Sequence, residues 1–534
     1  MQEKHSKEHI IKSVGIFSFA TSISRILGYI RDAINASLFG AGYVSDAFFV
    51  AFRIPNLLRD LLGEGALSMA FIPTFTEYLQ KKSKNETYEL ASIIFNILVI
   101  IFSIIVLLGI LLSPIIVRIM APGFTIEAMK LTISLTRIIF PFIAFMGFAA
   151  LFMGILNSYQ HFTIPALASV FMNIVIIIFG IFICPLFGEK PEQQIFVWTI
   201  GTLLGGLVQA LIQIPILFKK GIRYIPKLNF ISPVKRIFKL MVPAIFSNSV
   251  NQINVVLVNT IMASFLGEAA ITYLYYGNRL MQLPLGIFGV AIATAAFPTI
   301  SMHAANADIE KIKETVSFAL RMVFFITLPA TIGLIVLSLP INTLLFRYGR
   351  FTAESAIATA NASIYYSIGL FAFAGLKVIV PSFYALQDSK TPVKVGIAAV
   401  IINIVLSVFL MDSLGYCGLA LSTSISGILN FSILFIMLRN KLNGLDEKRI
   451  FKSFVRTFFA AIFMGVSCYF FADYIKSILN INIYMYRILY VFISILFGIL
   501  AFCGLSFLLK VEEIHSFYQF LKKKFLPSKA DIIQ

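Results

Sequence analysis

Residues 93–120 read IIFNILVIIFSIIVLLGILLSPIIVRIM, a run in which Arg118 is the one ionisable side chain. A helix rises 1.5 Å per residue, so about 20 apolar residues cross a hydrocarbon core roughly 30 Å thick. This run is longer than that, and residues 162–184 and 484–509 have the same character. The whole chain follows: of 534 residues 59% are hydrophobic and 13% charged, with a mean hydropathy of +0.91, far from the balance of a water-soluble domain.

Counting apolar stretches between polar loops predicts an all-α polytopic membrane protein of about 14 transmembrane helices, the second and eighth being long and polar. An even count puts both termini on one side. With the N-terminus in the cytoplasm, the loops near 81–88, 219–236, 303–314, 388–394 and 439–452 and both tails hold roughly 26 Lys and Arg, against about 6 in the opposite loops. That bias predicts cytoplasmic termini. It also explains the net charge of +18, which is dispersed through short loops instead of gathered into a nucleic-acid-binding face. Cys184, Cys417, Cys468 and Cys503 lie in or beside apolar segments without disulfide or metal spacing. Residues 1–12 are polar and no small-residue cleavage site follows the first apolar stretch, so that stretch is expected to stay as a helix.

Sliding the chain against itself by about 226 residues brings several local patterns into register. Ala36-Ser37-Leu38-Phe39-Gly40 meets Ala263-Ser264-Phe265-Leu266-Gly267, Arg53 meets Arg279, and Pro73-Thr74 meets Pro298-Thr299. Gly123-Phe124-Thr125 meets Gly349-Arg350-Phe351-Thr352, each after a helix containing a proline, Pro114 or Pro340. Gln160 and Pro165 meet Gln387 and Pro392. The repeat spans about six helices, an even number, which predicts two parallel repeats related by an axis along the membrane normal. The expected organisation is a six-helix lobe at 1–220, a second at 221–445, two additional helices at 446–510 and a basic cytoplasmic tail at 511–534. Two like lobes around a midplane cavity suit alternating access.

A charge at mid-bilayer costs about 2.5–3.5 kcal/mol on insertion scales, so such residues face a cavity or a partner. Arg25, Arg31 and Asp32 fall in the first helix; Asp46, Arg53, Arg59, Asp60 and Glu64 fall in the second. Asp46, Arg53 and Asp60 recur every seven residues and share a face. Arg31 sits about 120° from Arg25 and some 9 Å along the axis, so side-chain length or a bend near Gly28 must bring them together. The second repeat adds Arg279 with Asn278 and Gln282, then Lys377 in an otherwise apolar helix. Guanidinium groups bind phosphate oxygens bidentately, and arginines from both lobes in a wet cavity would suit a pyrophosphate. The structural alternatives are ion pairing of Arg53 with Asp46 or Asp60, and Asp46, Arg59 or Glu64 at an interface or capping a broken helix. Arg137 and Arg321 have no evident partner and read as snorkelling or structural. Pro55 and Pro284 occupy similar places in the two halves and permit kinks.

The ordered set Ser24-Arg25-Ile26-Leu27-Gly28-Tyr29-Ile30-Arg31-Asp32-Ala33, Ser45-Asp46-Ala47-Phe48-Phe49-Val50-Ala51-Phe52-Arg53-Ile54-Pro55-Asn56-Leu57-Leu58-Arg59, Glu64-Gly65-Ala66 and Ala121-Pro122-Gly123-Phe124 resembles the MurJ (MviN) family of lipid II flippases. So do Asn278-Arg279-Leu280, Tyr348-Gly349-Arg350-Phe351-Thr352 and Gln387-Asp388-Ser389-Lys390-Thr391-Pro392. The likeness covers nearly the whole chain, more weakly after about residue 442. It implies the fold of the multidrug/oligosaccharidyl-lipid/polysaccharide exporter superfamily, with V-shaped lobes, a bacterial cytoplasmic-membrane location, and lipid II (undecaprenyl-pyrophosphate disaccharide-pentapeptide) as substrate. It further implies that Arg25, Arg31 and Arg279 line the central cavity, that Arg59 is needed, and that the last two helices form a hydrophobic groove for the lipid tail. Asp32, Asp46, Arg53, Glu64, Asn278, Gln282, Lys377 and Asp388 are the supporting or gating candidates. Some members carry a sodium site in the seventh and eleventh helices. Here Asn248, Asn251, Asn254, Asn259 and Asp388 are the polar residues near it, and no full ligand set matches, so sodium, proton and membrane potential all stay open as coupling and no cofactor is expected.

Rival readings are a flippase for another polyprenyl-pyrophosphate glycan and a membrane enzyme acting on the same carrier. The enzyme would need a carboxylate or nucleophile cluster near the interface, and none is visible. A third is a scaffold contacting other cell-wall synthesis proteins through the basic tail at 515–529, whose alternating aromatic and basic residues read more simply as an interfacial helix on membrane lipids.

Overall fold

The computed structural model describes the backbone at residues 2–59, 68–229, 232–480 and 483–514, with side chains at all of these except 2–19, 58, 68, 69, 243–251 and 253. Expectations placed on Asp60, Glu64, Gly65, Ala66 and the tail from residue 515 therefore lie outside the described residues, as do the side chains of Asn248 and Asn251. Among the described residues there is no strand, as a bilayer requires of a chain that must satisfy its backbone within each segment.

By packing, the chain divides into two compact units, Met1–Thr272 with Phe346–Thr352, and Tyr273–Leu345 with Ala353–Gln534. The first unit contains α1 (Gln2–Phe39), α2 (Tyr43–Arg59), α3 (Ser68–Lys81), α4 (Lys84–Leu111), α5 (Ser113–Met120) and α6 (Ile126–Ile139). It continues with α7 (Phe142–Ser158), α8 (Thr163–Ile178), α9 (Pro191–Leu211), α10 (Ile214–Lys219), α11 (Ser232–Val256) and the first turn of α12 (Ala270–Pro284). In the second unit α12 runs on into α13 (Val290–Ala305), α14 (Ile309–Val336), α15 (Ser338–Phe346), α16 (Ala353–Ser367) and α17 (Leu370–Ala385). There follow α18 (Lys390–Leu414), α19 (Tyr416–Lys441), α20 (Glu447–Ile478) and α21 (Tyr484–Leu508). This division is one of packing: α11 lies against α3, which carries the first unit past the repeat boundary expected at 220.

Ten helical stretches are long and apolar enough to cross a membrane, or eleven if α16 and α17, bent by 43° at Ile368–Gly369, form one span. The protein is thus a multi-pass membrane protein. The expected fourteen adds α1, α2 with α3, and α11, stretches in which some residues lie outside those described. The outward faces of the spans are apolar: Phe463, Phe470, Phe492 and Leu500 are each more than half exposed, an arrangement suited to lipid. Buried hydroxyls turn back onto their own helices. Thr132, Thr136, Thr199, Thr359, Ser363 and Ser367 each donate to the carbonyl four residues earlier, which satisfies them without water.

Matching local structure recurs at the repeat offset. Gln160 and Gln387 are both left-handed, with φ of 57° and 58°. His161 N donates to Leu156 O at 2.9 Å as Asp388 N does to Phe383 O at 2.9 Å, the same helix-ending motif. Leu112 and Leu337, just before the Pro114 and Pro340 segments, break their helices alike, donating to Leu108 O and Gly333 O at 2.8 Å each. Small residues allow close helix approach: a Cβ on Gly418 would lie 2.2 Å from the Leu410 carbonyl oxygen of α18.

Gly418→Ala should therefore lower the melting temperature in detergent by several degrees, an overpacking penalty of about 1–3 kcal/mol. Gly504→Ala, where an added methyl meets nothing within 4 Å, should leave it unchanged or slightly raised. Equal melting temperatures for the two variants would show that the α18–α19 approach can relax.

Candidate functional site

In the first unit Arg25 and Arg31 differ in exposure. Arg25 is exposed on α1, while Arg31 is largely buried, its side chain 15% exposed. Arg31 Nε and Nη2 both donate to Asp32 Oδ1, at 3.0 and 2.7 Å, and Nη1 donates to Asn173 Oδ1 of α8 at 3.2 Å. Asn173 is itself buried and oriented, since its Nδ2 donates to Ser169 O at 3.0 Å and to Ser24 O and Oγ at 3.3 and 3.4 Å. The guanidinium is held by a carboxylate next to it in sequence and an amide from another helix. Sequence reasoning passed over Asn173, although it is the one polar amide within the apolar run 162–184, the signal that could have exposed it. Arg53 and Arg59 on α2 are partly buried.

Asp46 takes the capping role among the alternatives open for it. Its carboxylate is fully buried at the start of α2 and accepts from Ala269 N at 2.7 Å, Thr272 N at 2.8 Å and Thr272 Oγ1 at 2.6 Å. It caps α12, where an anion complements both the unpaired N–H groups and the helix dipole, so its carboxylate is turned to α12.

Around that cap the two halves of the repeat meet crosswise within the first unit. Gly349 approaches Ser37 so closely that a Cβ would sit 2.4 Å from Ser37 O, and Gly123 approaches Ser264 O at the same 2.4 Å. Ser37 and Ser264 are repeat partners, as are Gly123 and Gly349, so this is one contact made twice about a pseudo-two-fold. Arg350 N donates to Ser37 O at 2.9 Å, Gly123 N to Ser264 Oγ at 3.1 Å, and Tyr43 Oη to Glu192 Oε1 at 2.7 Å. The Arg350 guanidinium reaches Glu189 O. Gly40, at φ 66°, turns the chain from α1 into α2 under the Arg350 carbonyl, with no room for a side chain there.

In the second unit Arg279 lies partly buried on α12, and Gln282 Nε2 donates to Asn278 Oδ1 at 3.2 Å one turn apart. Lys377 is exposed on α17. Asp388 is a helix-end residue: it accepts from Thr391 N at 3.0 Å, Thr391 Oγ1 at 2.9 Å and Lys441 Nζ at 2.7 Å. The Lys441 ammonium and the Thr391 donors hold its carboxyl down at about 2, and its oxygens are engaged in tying α18 to the end of α19. Arg137 and Arg321, for which sequence offered no partner, both have one: Arg137 Nε donates to Ser113 Oγ at 3.1 Å, and Arg321 pairs with buried Glu513. Among the described residues no group of three or more His, Cys, Asp or Glu could hold a metal ion.

Comparison with known proteins gives a family match over residues 35–490 to the model for Lipid II flippase MurJ. A protein of Vibrio cholerae described as a probable lipid II flippase MurJ is 39% identical over 82% of this chain and 84% of its own length. One of Buchnera aphidicola from Acyrthosiphon pisum, described likewise, is 33% identical over 96% of this chain and 99% of its own. A solved structure of lipid II flippase MurJ in an inward closed conformation superposes with a TM-score of 0.78 at 30% identity, over 93% of this chain and 99% of that one. An inward-facing MATE-family multidrug transporter matches with a TM-score of 0.67 at 17% identity, over 79% and 96%, which concerns the fold alone.

The Asp388–Lys441 pair carries a pH signature. A depressed carboxyl contributes stability above its unfolded value, near 4, and that contribution is lost as pH falls toward about 2. Thermal melts from pH 5 down to pH 2 should show Asp388→Asn losing part of the wild-type dependence, with the curves converging at the acid end. Parallel curves throughout would mean that the pair adds nothing to folding.

Proposed function

The chain belongs to the lipid II flippase MurJ family, and from that premise we propose that it carries lipid II from the cytoplasmic to the outer leaflet of a bacterial inner membrane by alternating access. The family is one of transporters, which sets the enzymatic reading aside. The observation that carries the mechanistic part is Arg31, a guanidinium oriented by Asp32 and Asn173 before any ligand arrives. A preorganised cation of this kind suits phosphate oxygens better than a mobile one, because less side-chain freedom is lost on binding.

In this reading the lipid II pyrophosphate is held by Arg25, Arg31 and Arg279, with Arg59 in support, while α20 and α21 give the undecaprenyl tail an apolar path along the lobes. The repeats at 1–220 and 221–445 are the moving lobes. The Lys and Arg bias of the loops supports cytoplasmic termini, and so places the crosswise Gly–Ser contacts and the Asp46 cap at the outer end. There they form a seal that an outward-open state must part. Both halves of the seal are made mostly of backbone and small side chains, and parting them leaves the Asp46 carboxylate and the Arg350 guanidinium to find new partners. Membrane potential, sodium or protons would drive the cycle; moving one net charge through the field is worth about 2.3 kcal/mol per 100 mV.

Lipid II translocation in cells depleted of their own flippase tests this directly. The wild-type chain should restore it, and Arg25→Ala, Arg31→Ala and Arg279→Ala at matched membrane levels should reduce it by roughly tenfold or more, the scale expected for a lost charge-assisted contact. Rescue by all three variants would remove the pyrophosphate site; failure of a normally inserted wild type would favour another polyprenyl-pyrophosphate glycan.

The seal makes a separate prediction. Gly123→Ala and Gly349→Ala force a methyl against a carbonyl oxygen and should increase labelling, by a membrane-impermeant thiol reagent, of a cysteine placed at Ser45. Labelling at the wild-type rate would mean that the seal does not depend on the glycine contacts.

A further inference from the structure

Arg321 is buried in α14, 6% exposed, in a span where a cation needs a reason to be. Its partner comes from 192 residues downstream: Nη1 donates to Glu513 Oε1 and lies 3.5 Å from Glu512 Oε2. Glu513 is 1% exposed. Two arginines of α20 grip the same short segment. Arg449 reaches Glu512 Oε2 through Nη2 at 2.8 Å and Nε at 2.9 Å, and Arg456 Nη1 donates to Lys510 O at 2.8 Å. Val511 between them is buried in the core. Residues 510–513, directly after α21, are thus strapped to α14 and α20 by three guanidinium groups.

Two features separate this strap from ordinary stabilisation. Glu513 Oε2 and Arg321 Nε are buried without a hydrogen-bond partner, and an incompletely satisfied buried pair is a poor source of stability while remaining a strong constraint on geometry. Beside the pair lies a hollow of ≈ 520 Å³ lined by Arg321, Arg449, Glu512, Asp446, Glu314 and Phe318, among others. Where side chains do not fill the space, packing cannot fix where the segment after α21 lies against α14. Charges can. α21 packs chiefly on α20 and only slightly on α14, so the strap is the place where the end of α21 is tied to α14.

We propose that the Arg321–Glu513 pair is a positioning device that sets where the end of α21 lies against α14, and through it the width of the apolar path for the carrier lipid tail. The second half rests on the lipid II reading; the first does not. The pair acts on the tail through helix position and touches no reacting group.

The test places spin labels at Glu310→Cys and Leu508→Cys, both highly exposed helix-end positions, in full-length protein in nanodiscs with the native cysteines replaced. Arg321→Gln and Glu513→Gln should broaden or shift the label distance distribution. Arg321→Met with Glu513→Leu, which removes the buried charge yet keeps the volume, should recover the wild-type melting temperature without recovering the distance. A distribution unchanged in all variants, or fully restored by the apolar pair, overturns the proposal. In transport assays the single variants should lose roughly tenfold with an undecaprenyl carrier and less than about twofold with a short-chain one. Equal losses on both carriers would mean a merely structural pair and overturn the role in the tail path. If the wild type moves neither carrier, the lipid II reading falls, while the distance measurement still decides whether the strap sets that position.

Discussion

An ionised side chain inside a bilayer has to find a partner, a helix end or water, because the hydrocarbon supplies none of them. Much of this structure can be derived from how each buried charge meets that demand. Arg31 is met by Asp32 and Asn173. Asp46 is met by the unpaired N–H groups at the start of α12, and Arg321 by Glu513. In each case the answer ties together segments far apart in the chain: α1 to α8, α2 to α12, α14 to the segment after α21. The hydrophobic effect puts the helices in the membrane but does not choose their neighbours there. Small-residue packing and these few polar links do.

The spans and the repeat were legible in the sequence for the same physical reason, since both are written in residues close together along the chain. An apolar run such as 93–120 needs no tertiary context to be read. Gln160 and Gln387 could be matched because each ends a helix in the same left-handed turn, and that turn depends on its immediate neighbours. The partners of the charges were another matter. Helical periodicity puts Asp46 and Arg53 on one face but is silent on what lies across from either, and the Thr272 that Asp46 binds is 226 residues away. Arg321 and Arg137 looked unaccompanied for that reason alone. Asp388 shows the same limit: sequence gives it as a lone acid near a helix start, and only the fold brings Lys441 to it beside Thr391 three residues on.

The two halves share backbone more faithfully than side chains. The turn that carries Asp388, paired with Lys441, is matched in the first half by one that carries His161, whose imidazole is pushed below its usual value by burial and by the nearby Lys220. One half has an ion pair where the other has an imidazole. The backbone turn is the same because its hydrogen bonds are internal to it; the side chain diverges because what it meets lies on another element. The contacts made twice, Gly349 on Ser37 and Gly123 on Ser264, are the ones built from backbone and the smallest residues.

That difference bears on transport. If the halves were alike in charge as well as in backbone, a pyrophosphate between them would meet the same surface on each side. Instead Arg25, Arg31 and Arg59 come from the first repeat, and Arg279 and the exposed Lys377 from the second. A single asymmetric head group can be gripped in one orientation only by an asymmetric set of cations. In the proposed transport cycle pseudo-symmetry would then belong to the seal, and asymmetry to the cations that would hold one end of one substrate. The strap after α21 lies outside the two expected repeats, where a part acting on the lipid tail, as proposed, would be an addition to them.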